Sequence, residues 1–308
     1  MVAYLTLAPA AKREIKEITD APDDFFMHHN ENAASTDHTA RAMTDDFQAS
    51  LFYAALADAL KRRGKKSETV CDANDPVERR LLAEYGAMFI AAESVRVPPR
   101  CLFRREEEVA EFQREAKPRA ASIGDAGIEL QGAALESLLA AREEARARAL
   151  EITPRGGTEA ARRSYADTLR LWESRVVPAL DHWVAQGALT PVEAQRIRTL
   201  AATEQIAAVL AEEARGNFFS KDFSRTILSS VAAPGASQHL SLLAFDMVEF
   251  REPAAREILA RHGWFQTVLY DLPHFTFLGV REKQLRAHGL KRVEEHGQVF
   301  WLPNLDRQ

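Results

Sequence analysis

Residues 233–246 read APGASQHLSLLAFD, and residues 271–275 read DLPHF. Each stretch combines His and Asp with apolar residues, and the runs 242–250 and 275–278 are typical of β-strands. Rigid sites are often built at strand ends and in adjoining loops, so we expect these polar residues to meet beside a small sheet. The sheet is predicted to be antiparallel and the fold class to be α+β.

The chain changes character at Gly216. Before it the apolar pattern is helical almost throughout, whereas short β-type runs follow it. We predict an extended arm over residues 1–38, a mainly helical region over residues 39–216 and a small C-terminal α+β domain over residues 217–308. The strands predicted for that domain cover residues 226–230, 242–250, 265–269, 275–278 and 299–302, and a helix is predicted over residues 253–262.

Within the helical region, Pro, Ala, Ser and Gly are concentrated at residues 117–127, which we interpret as a possible linker. Long helices are predicted over residues 128–150, 159–186 and 191–215. The last of these has a typical start, because Thr190 can cap a helix that begins with Pro and has Glu three residues after the Thr.

An arginine patch lies near the start of the predicted helix 159–186. Arg162 and Tyr165 are three residues apart and share a helix face, whereas Arg163 points elsewhere. The interpretation that we favour is a helix cap and a solvated face. The alternative is a surface that grips acidic groups, since the Arg fork suits carboxylates.

Composition limits the classes of function. Hydrophobic residues make up 46% of the chain and charged residues 28%, which are ordinary globular values. The formal net charge of −5 gives no basic face, so we expect no nucleic-acid partner. No run approaches the length of about 18 apolar residues that a transmembrane helix needs, and the N-terminus is not a convincing signal peptide.

Cys71 and Cys101 are the two cysteines of the chain. They could pair in an oxidising compartment or remain buried thiols, and the second interpretation is favoured for two isolated cysteines. Their spacing is not that of a zinc knuckle, so we do not expect them to bind a metal.

A metal site is predicted from His239, Asp246 and His274. Asp246 lies in an apolar run that would otherwise be entirely buried, and a buried carboxylate costs several kcal/mol unless a cation or hydrogen bonds compensate it. A buried Asp that caps a turn near two core histidines would also fit His239 and Asp246 alone. Adding Asp271-x-x-His274 favours the metal, because two imidazoles and one carboxylate leave an open position for water.

These stretches resemble a family of zinc peptidases of the lysostaphin–DD-peptidase–hedgehog type, which contains the D-alanyl-D-alanine carboxypeptidases and the L-alanyl-D-glutamate peptidases. The family pattern is Ser-x-His-x-x-Gly-x-Ala-x-Asp, followed downstream by Glu-x-x-His. The residues that match in type and spacing are Ser237, His239, Ala244, Asp246 and His274. The chain departs from the pattern at Leu242, where the family has Gly, and at Asp271, where it has Glu. The resemblance covers about residues 217–308.

The resemblance implies a role for each matching residue. The residues implied to bind a catalytic Zn²⁺ are His239, Asp246 and His274. Asp271 takes the position of the catalytic base that accepts a proton from water. Arg225, upstream of the first motif, is implied to bind the substrate and to assist catalysis, and Ser237 is implied to bind the substrate. The alternatives are a surface salt bridge for Arg225 and a role in the loop turn for Ser237.

The implied function is hydrolysis of peptidoglycan stem peptides by a zinc metallopeptidase, with D-alanyl-D-alanine as the first substrate. Such a substrate would place the protein in the periplasm or another extracytoplasmic compartment. The alternative is a non-catalytic helical scaffold or cell-wall-binding protein with a structural or degenerate zinc site. An open coordination position would favour the enzyme, and a fourth protein ligand would favour the scaffold.

Overall fold

The computed structural model describes residues 42–307, which contain about 48% helix and 14% strand. The strands form small antiparallel sheets and the helices dominate the first part of the chain, as the predicted α+β class requires. The predicted arm over residues 1–38 lies outside the described residues. No helix between residues 42 and 307 is long and apolar enough to cross a membrane.

All but one of the α-helices named here end by residue 214. After a helical segment over residues 42–48, the α-helices are Leu51–Arg62 (α1), Ser67–Val70 (α2), Pro76–Tyr85 (α3), Glu106–Glu115 (α4), Gly132–Arg146 (α5), Tyr165–Ala185 (α6), Pro191–Thr199 (α7), Ala202–Ala214 (α8) and Pro253–Arg261 (α9). Short 3₁₀ helices cover Gly86–Ile90, Gly157–Ala160, Ile227–Ser229, Gln238–Ser241 and Glu282–Gln284.

Seven short strands form three antiparallel sheets among the described residues. The strands are Pro118–Ile123 (β1), Ala126–Gln131 (β2), Ala244–Asp246 (β3), Trp264–Phe265 (β4), His274–Phe277 (β5), Leu290–Glu295 (β6) and Gln298–Pro303 (β7). β1 pairs with β2 and β6 with β7, while the third sheet has the order β3-β5-β4. The central strand β5 therefore holds the sheet that carries the predicted site.

Helix starts agree with the local sequence. The predicted Thr190 cap is confirmed, because its side chain accepts the backbone N–H of Glu193 while the Glu193 side chain accepts the backbone N–H of Thr190. This capping box satisfies donors that a helix N-terminus otherwise leaves unpaired. The predicted helix 191–215 nevertheless divides in two, since the chain leaves the helical conformation at Leu200 before α8 begins.

The predicted linker at residues 117–127 is wrong. This segment contains β1 and the turn of a hairpin, in which Gly124 adopts the left-handed conformation (φ 59°). Ile128 and Leu130 on β2 are fully buried and alternate with more exposed residues, so the apolar period is that of a strand. Helix α5 consequently begins at Gly132 rather than at the predicted residue 128.

The predicted strand 226–230 is also wrong. The side chain of Glu213 accepts the backbone N–H of Ile227 (2.6 Å) and the hydroxyl of Thr226 (2.6 Å). Thr226 in turn caps a 3₁₀ turn by accepting the backbone N–H of Leu228. These local bonds use the donors that a sheet ladder would need, so the segment forms Ile227–Ser229 as a 3₁₀ helix.

One apolar cluster unites residues from both sides of the predicted boundary at residue 217. Phe52 and Leu138 enter it from the helical region, and Phe245 and Trp264 from the C-terminal region, each with 0% exposure. The described residues form one compact unit. The predicted helical and C-terminal regions therefore share a core instead of having one each.

A second apolar cluster packs α3 against α6 and α8. Trp172 of α6 is fully buried there, and its indole N–H donates to the side-chain oxygen of Gln205 (2.8 Å). Tyr85 at the end of α3 belongs to the same cluster and donates its hydroxyl to the backbone carbonyl of Leu228 (2.7 Å). Helices α3, α6 and α8 together form a helical wall, which lies opposite the β3-β5-β4 sheet.

The chain has one disulfide, between Cys71 and Cys101. It joins the end of α2 to the segment that precedes α4, with 30 residues of sequence separation. The favoured interpretation of two free thiols is therefore wrong. Disulfides persist in oxidising compartments, so this bond is consistent with a protein outside the cytoplasm.

Candidate metal centre

The first ligand segment is a tight 3₁₀ turn. Ser237 caps the turn Gln238–Ser241 by accepting the backbone N–H of His239 (3.4 Å). The turn ends at Leu242, which has φ 61° and lies in the left-handed region that glycine favours. The chain reverses there and enters β3, whose last residue is Asp246.

Strand pairing brings the third ligand to the same place. β3 and β5 are antiparallel, and Asp246 lies directly opposite His274 in the register. Residues that oppose each other across such a pair have side chains on one face, with Cβ atoms about 5 Å apart. The register therefore sets a carboxylate beside an imidazole at the end of the sheet, next to the turn that carries His239.

The three side chains converge at one point. His239 Nε2 lies 3.1 Å from His274 Nδ1, and Asp246 Oδ1 lies 3.3 Å from the former and 3.1 Å from the latter. Ligand atoms held about 2.0–2.1 Å from a tetrahedral metal are about 3.3 Å from one another. His239 is 1% exposed and His274 4% exposed, so the three residues could hold a metal ion in a nearly closed site.

The ring of His239 is oriented from behind by the backbone. Its Nδ1–H donates to the carbonyl oxygen of Ala161 (3.1 Å), which can only accept. The neutral ring therefore has its proton on Nδ1 and its lone pair on Nε2, the atom that faces the other two ligands.

The ring of His274 is oriented in the opposite sense by Gln238. Its Nε2–H donates to the side-chain oxygen of Gln238 (2.8 Å). The Gln238 amide is itself fixed, because its NH₂ group donates to the carbonyl oxygen of Tyr85 (2.9 Å) and its oxygen also accepts the hydroxyl of Thr276. The lone pair of His274 is consequently on Nδ1, again the atom that faces the cluster.

These tautomers leave three lone pairs pointing at one another with no proton between them. Burial and then the charge of Arg163 lower the pKa of His239 to about 4, so this ring is neutral at physiological pH. Such a cluster could hold a cation at its centre, and the donor set is one that metal ions take.

Arg163 completes the site from the side. Its Nη2 donates to Asp246 Oδ2 (2.7 Å) and its Nε to the carbonyl oxygen of Glu159 (3.2 Å). The Asp246 carboxylate therefore presents Oδ1 alone to the cluster. The sequence predicted Arg163 to point away from the direction of Arg162, and the two side chains do contact different residues. Arg163 precedes α6, which begins at Tyr165, so helix periodicity does not set its direction.

Arg162 has a different environment. Its Nε donates to the side chain of Gln113 (2.9 Å), and its Nη1 contacts the Glu129 carboxylate at the surface. Because Arg162 also precedes α6, it shares no helix face with Tyr165. The predicted face of Arg162 and Tyr165 therefore does not exist.

The ligands line a cavity of about 180 Å³ between the sheet and the helical wall. Asp271, Ser237 and Arg175 line the same cavity. Asp271 is half-buried, and burial raises the pKa of its carboxyl group. Arg175 donates from Nε to the hydroxyl of Ser230 (2.8 Å), and no carboxylate among the described residues forms an ion pair with it.

Arg225, predicted to act beside the metal, lies elsewhere. Its guanidinium stacks over the ring of Tyr270 (4.8 Å to the centroid) and lines a neighbouring cavity. The arginines that line the metal cavity are Arg163 and Arg175. The sequence placed Arg225 at the start of the strand predicted over residues 226–230, whereas it lies in a loop before the 3₁₀ turn Ile227–Ser229.

No protein family, curated protein or solved structure that we compared with this chain matches it.

Proposed function

We propose that this protein is a zinc-dependent peptidase that hydrolyses peptidoglycan stem peptides, with D-alanyl-D-alanine ends as its first substrate. The observation that carries the proposal is the triangle of lone pairs from His239, Asp246 and His274 beside a cavity that also contains Asp271. A ligand set and a candidate proton acceptor in one cavity are the parts that metal-assisted hydrolysis needs.

Zinc is the proposed metal. His239 and His274 supply nitrogen and Asp246 supplies oxygen, the mixed donor set common in catalytic zinc sites. Among residues 42–307, no fourth His, Cys, Asp or Glu joins the cluster. A zinc ion bound there would polarise a substrate carbonyl and increase the acidity of a water molecule. Three protein ligands support the enzyme over a structural zinc site, which is usually closed by four.

Asp271 is the proposed general base. Burial raises the pKa of its carboxyl group toward neutral pH, which suits a residue that must both accept a proton and donate it again. In the proposed reaction a carboxylate oxygen of Asp271 accepts the proton of the attacking water and later donates it to the leaving amine. Asp replaces the Glu of the family that the sequence resembles, so the reacting atoms must approach its shorter side chain more closely.

The backbone at Leu242 supports the resemblance. The family pattern has Gly at this position, and Leu242 adopts the left-handed conformation that Gly adopts without steric cost. The chain thus keeps the turn between the His239 and Asp246 ligands although it lacks the Gly. Ser237, which also matches the pattern, caps this turn and lines the cavity.

Arg175 takes the role that the sequence gave to Arg225. Its guanidinium faces the metal cavity without a carboxylate partner in the described chain, so it can bind the terminal carboxylate of a peptide. Such a contact favours removal of a C-terminal residue over cleavage within a chain. The disulfide fits a periplasmic location, where this substrate is found.

The test is mass spectrometry of muropeptides and of a short peptide ending in D-Ala-D-Ala, each incubated with the zinc-loaded protein. We expect loss of the terminal D-alanine, inhibition by a chelator and no product with His274→Ala. Stoichiometric zinc binding without cleavage of either substrate would overturn the peptidase and favour the scaffold with a structural metal.

A further inference from the structure

A second cavity, of about 500 Å³, adjoins the metal cavity. Ser230 lines both cavities. Two consecutive residues also line different cavities: Tyr270 lines the second cavity and Asp271 lines the metal cavity. The two cavities therefore share a boundary formed by Ser230 and the Tyr270–Asp271 segment, which an extended ligand would cross to occupy both.

The backbone conformation of Tyr270 places the side chains of Tyr270 and Asp271 in different cavities. Tyr270 has φ 71°, a left-handed conformation that is rare for an aromatic residue. The turn is held by hydrogen bonds from the Asp271 N–H to the Val268 carbonyl (3.3 Å) and from the His274 N–H to the Asp271 carbonyl (3.2 Å). Conformations of this kind are concentrated at functional sites, where the surroundings hold them in place.

Positive charge in the second cavity lacks partners. The Arg225 guanidinium stacks over the Tyr270 ring (4.8 Å to the centroid), and its N–H groups form no hydrogen bond within residues 42–307. Lys221 lines the same cavity, and within residues 42–307 neither cation forms an ion pair. The carboxylate of Asp222 also lines the cavity; it accepts the hydroxyl of Ser220 (2.7 Å) and forms no ion pair with Lys221 or Arg225.

His296 also lines this cavity. It lies 3.4 Å from the carboxylate of its neighbour Glu295. Lys221 and Arg225 line the same space from one loop, and with the ionised Asp222 they leave it a surplus of one positive charge.

We infer that the Lys221–Arg225–Tyr270 cavity is a subsite for a carboxylate that the peptide substrate carries upstream of its scissile bond. The inference rests on the proposed peptidase for the position of that bond. A planar guanidinium with free N–H groups binds a carboxylate through two parallel hydrogen bonds, and Lys221 adds a second positive charge. This role differs from that of a residue acting at the metal, because Arg225 lies in the neighbouring cavity.

The experiment uses acetylated peptides that end in D-Ala-D-Ala and have either Glu or Gln at one of the two residues before that end. For each Glu/Gln pair, kcat/KM is measured with the zinc-loaded wild type, Arg225→Gln and Arg286→Gln. Arg286 is a matched control, since it is exposed and lines neither cavity. We expect the wild type to prefer one Glu peptide by about tenfold, Arg286→Gln to keep this preference, and Arg225→Gln to lose it while cleaving the Gln peptide normally.

The affinity of the same peptides is measured by calorimetry, which separates this inference from the proposed function. If no peptide is cleaved but the Glu peptide binds about tenfold more tightly in an Arg225-dependent way, the peptidase is wrong and the subsite stands. If peptides are cleaved without a Glu preference, or if Arg225→Gln keeps that preference, the subsite is overturned. Equal affinity in the absence of cleavage overturns both.

Discussion

His239 Nε2 lies 3.1 Å from His274 Nδ1, and the hydrogen bonds behind the two rings leave a lone pair on each of these atoms. Two lone pairs at this distance repel each other, and Asp246 Oδ1 adds a third. A cation bound between the three atoms would relieve this repulsion. The acceptors behind the rings, Ala161 and Gln238, therefore favour metal binding although they do not contact the metal position, and they can be tested separately.

Gln238→Met should weaken zinc binding by about 10- to 100-fold, because it removes the acceptor that holds the His274 Nε2 proton. Gln238→Glu should keep zinc affinity near that of the wild type, since a carboxylate also accepts this proton. Competition with a chromophoric chelator measures both affinities. Equal weakening by the two substitutions would show that Gln238 acts through packing alone.

Arg163→Ala should destabilise the metal-free protein by about 3 kcal/mol, since it leaves the buried Asp246 carboxylate without its cationic partner. The zinc-loaded protein should lose less, because the metal compensates the same charge. Arg162→Ala is the matched control: this exposed neighbour pairs with Glu129 at the surface, and the expected change is within about 1 kcal/mol. Denaturant unfolding with and without zinc measures these values, and equal losses in both metal states would contradict the assignment.

Asp271→Asn should retain zinc and reduce peptide hydrolysis by about 10²- to 10⁴-fold, the usual contribution of a general base. Asp271→Glu should remain active, since the longer side chain still carries a carboxylate. Asp125→Asn, at the exposed β1–β2 turn, controls for the loss of one negative charge. Full turnover by Asp271→Asn on a peptide that the wild type cleaves would exclude Asp271 as the base.

The group of His239, Asp246 and His274 could be predicted because the sequence shows that the Asp246 carboxylate needs a partner. Asp246 occurs in an apolar run, so a compensating cation was expected, and the runs around residues 242–250 and 275–278 indicated strands. In the structure β3 pairs with β5, and the register sets Asp246 opposite His274. The sequence indicated strands at both residues, whereas their pairing and register come from the structure.

The residues behind the ligands could not be predicted in the same way. Arg163 reaches Asp246 across 83 residues of sequence, and Gln238 reaches His274 across 36. Each contact depends on how loops pack in three dimensions. The one available signal was the position of Gln238 between Ser237 and His239, which gives no direction for its side chain.

Composition misled the prediction at residues 117–131. Small residues suggested a linker, and the Ala, Glu and Leu that follow suggested the start of a helix. The buried side chains of Ile128 and Leu130 alternate with more exposed ones, and the segment forms a strand. Burial of one strand face outweighs the intrinsic secondary-structure preference of the residues. A period of two over six residues was the signal that composition concealed.

Reduction of the Cys71–Cys101 disulfide should lower the free energy of unfolding by about 3–4 kcal/mol. The bond joins residues that are 30 apart in sequence, so it closes a loop in the unfolded chain and lowers its conformational entropy. Urea unfolding with and without reductant measures the change. A Cys71→Ser/Cys101→Ser double variant should have the stability of the reduced protein and should not respond to reductant. An unchanged midpoint of the wild type on complete reduction would contradict this expectation.

The metal-free protein should lose stability as the pH falls from about 6.5 to about 4, and His239 is the reason. Its pKa is lowered to about 4 in the folded state by burial and by the charge of Arg163, whereas an unfolded His has a pKa of about 6.5. Between these values the unfolded chain binds more protons at this ring, so the free energy of unfolding falls by roughly 3 kcal/mol across the interval.

The pH experiment is cleanest in an Asp271→Asn background. Burial raises the pKa of the Asp271 carboxyl group, so its contribution to stability decreases as the pH rises and opposes that of His239. In this background, denaturant unfolding in the presence of a chelator should show the acid-side loss, and a further His239→Gln substitution should remove most of it. Zinc should suppress the loss as long as it remains bound, because coordination blocks the nitrogen that would be protonated. An acid-side loss that persists undiminished in the His239→Gln variant would assign it to other groups.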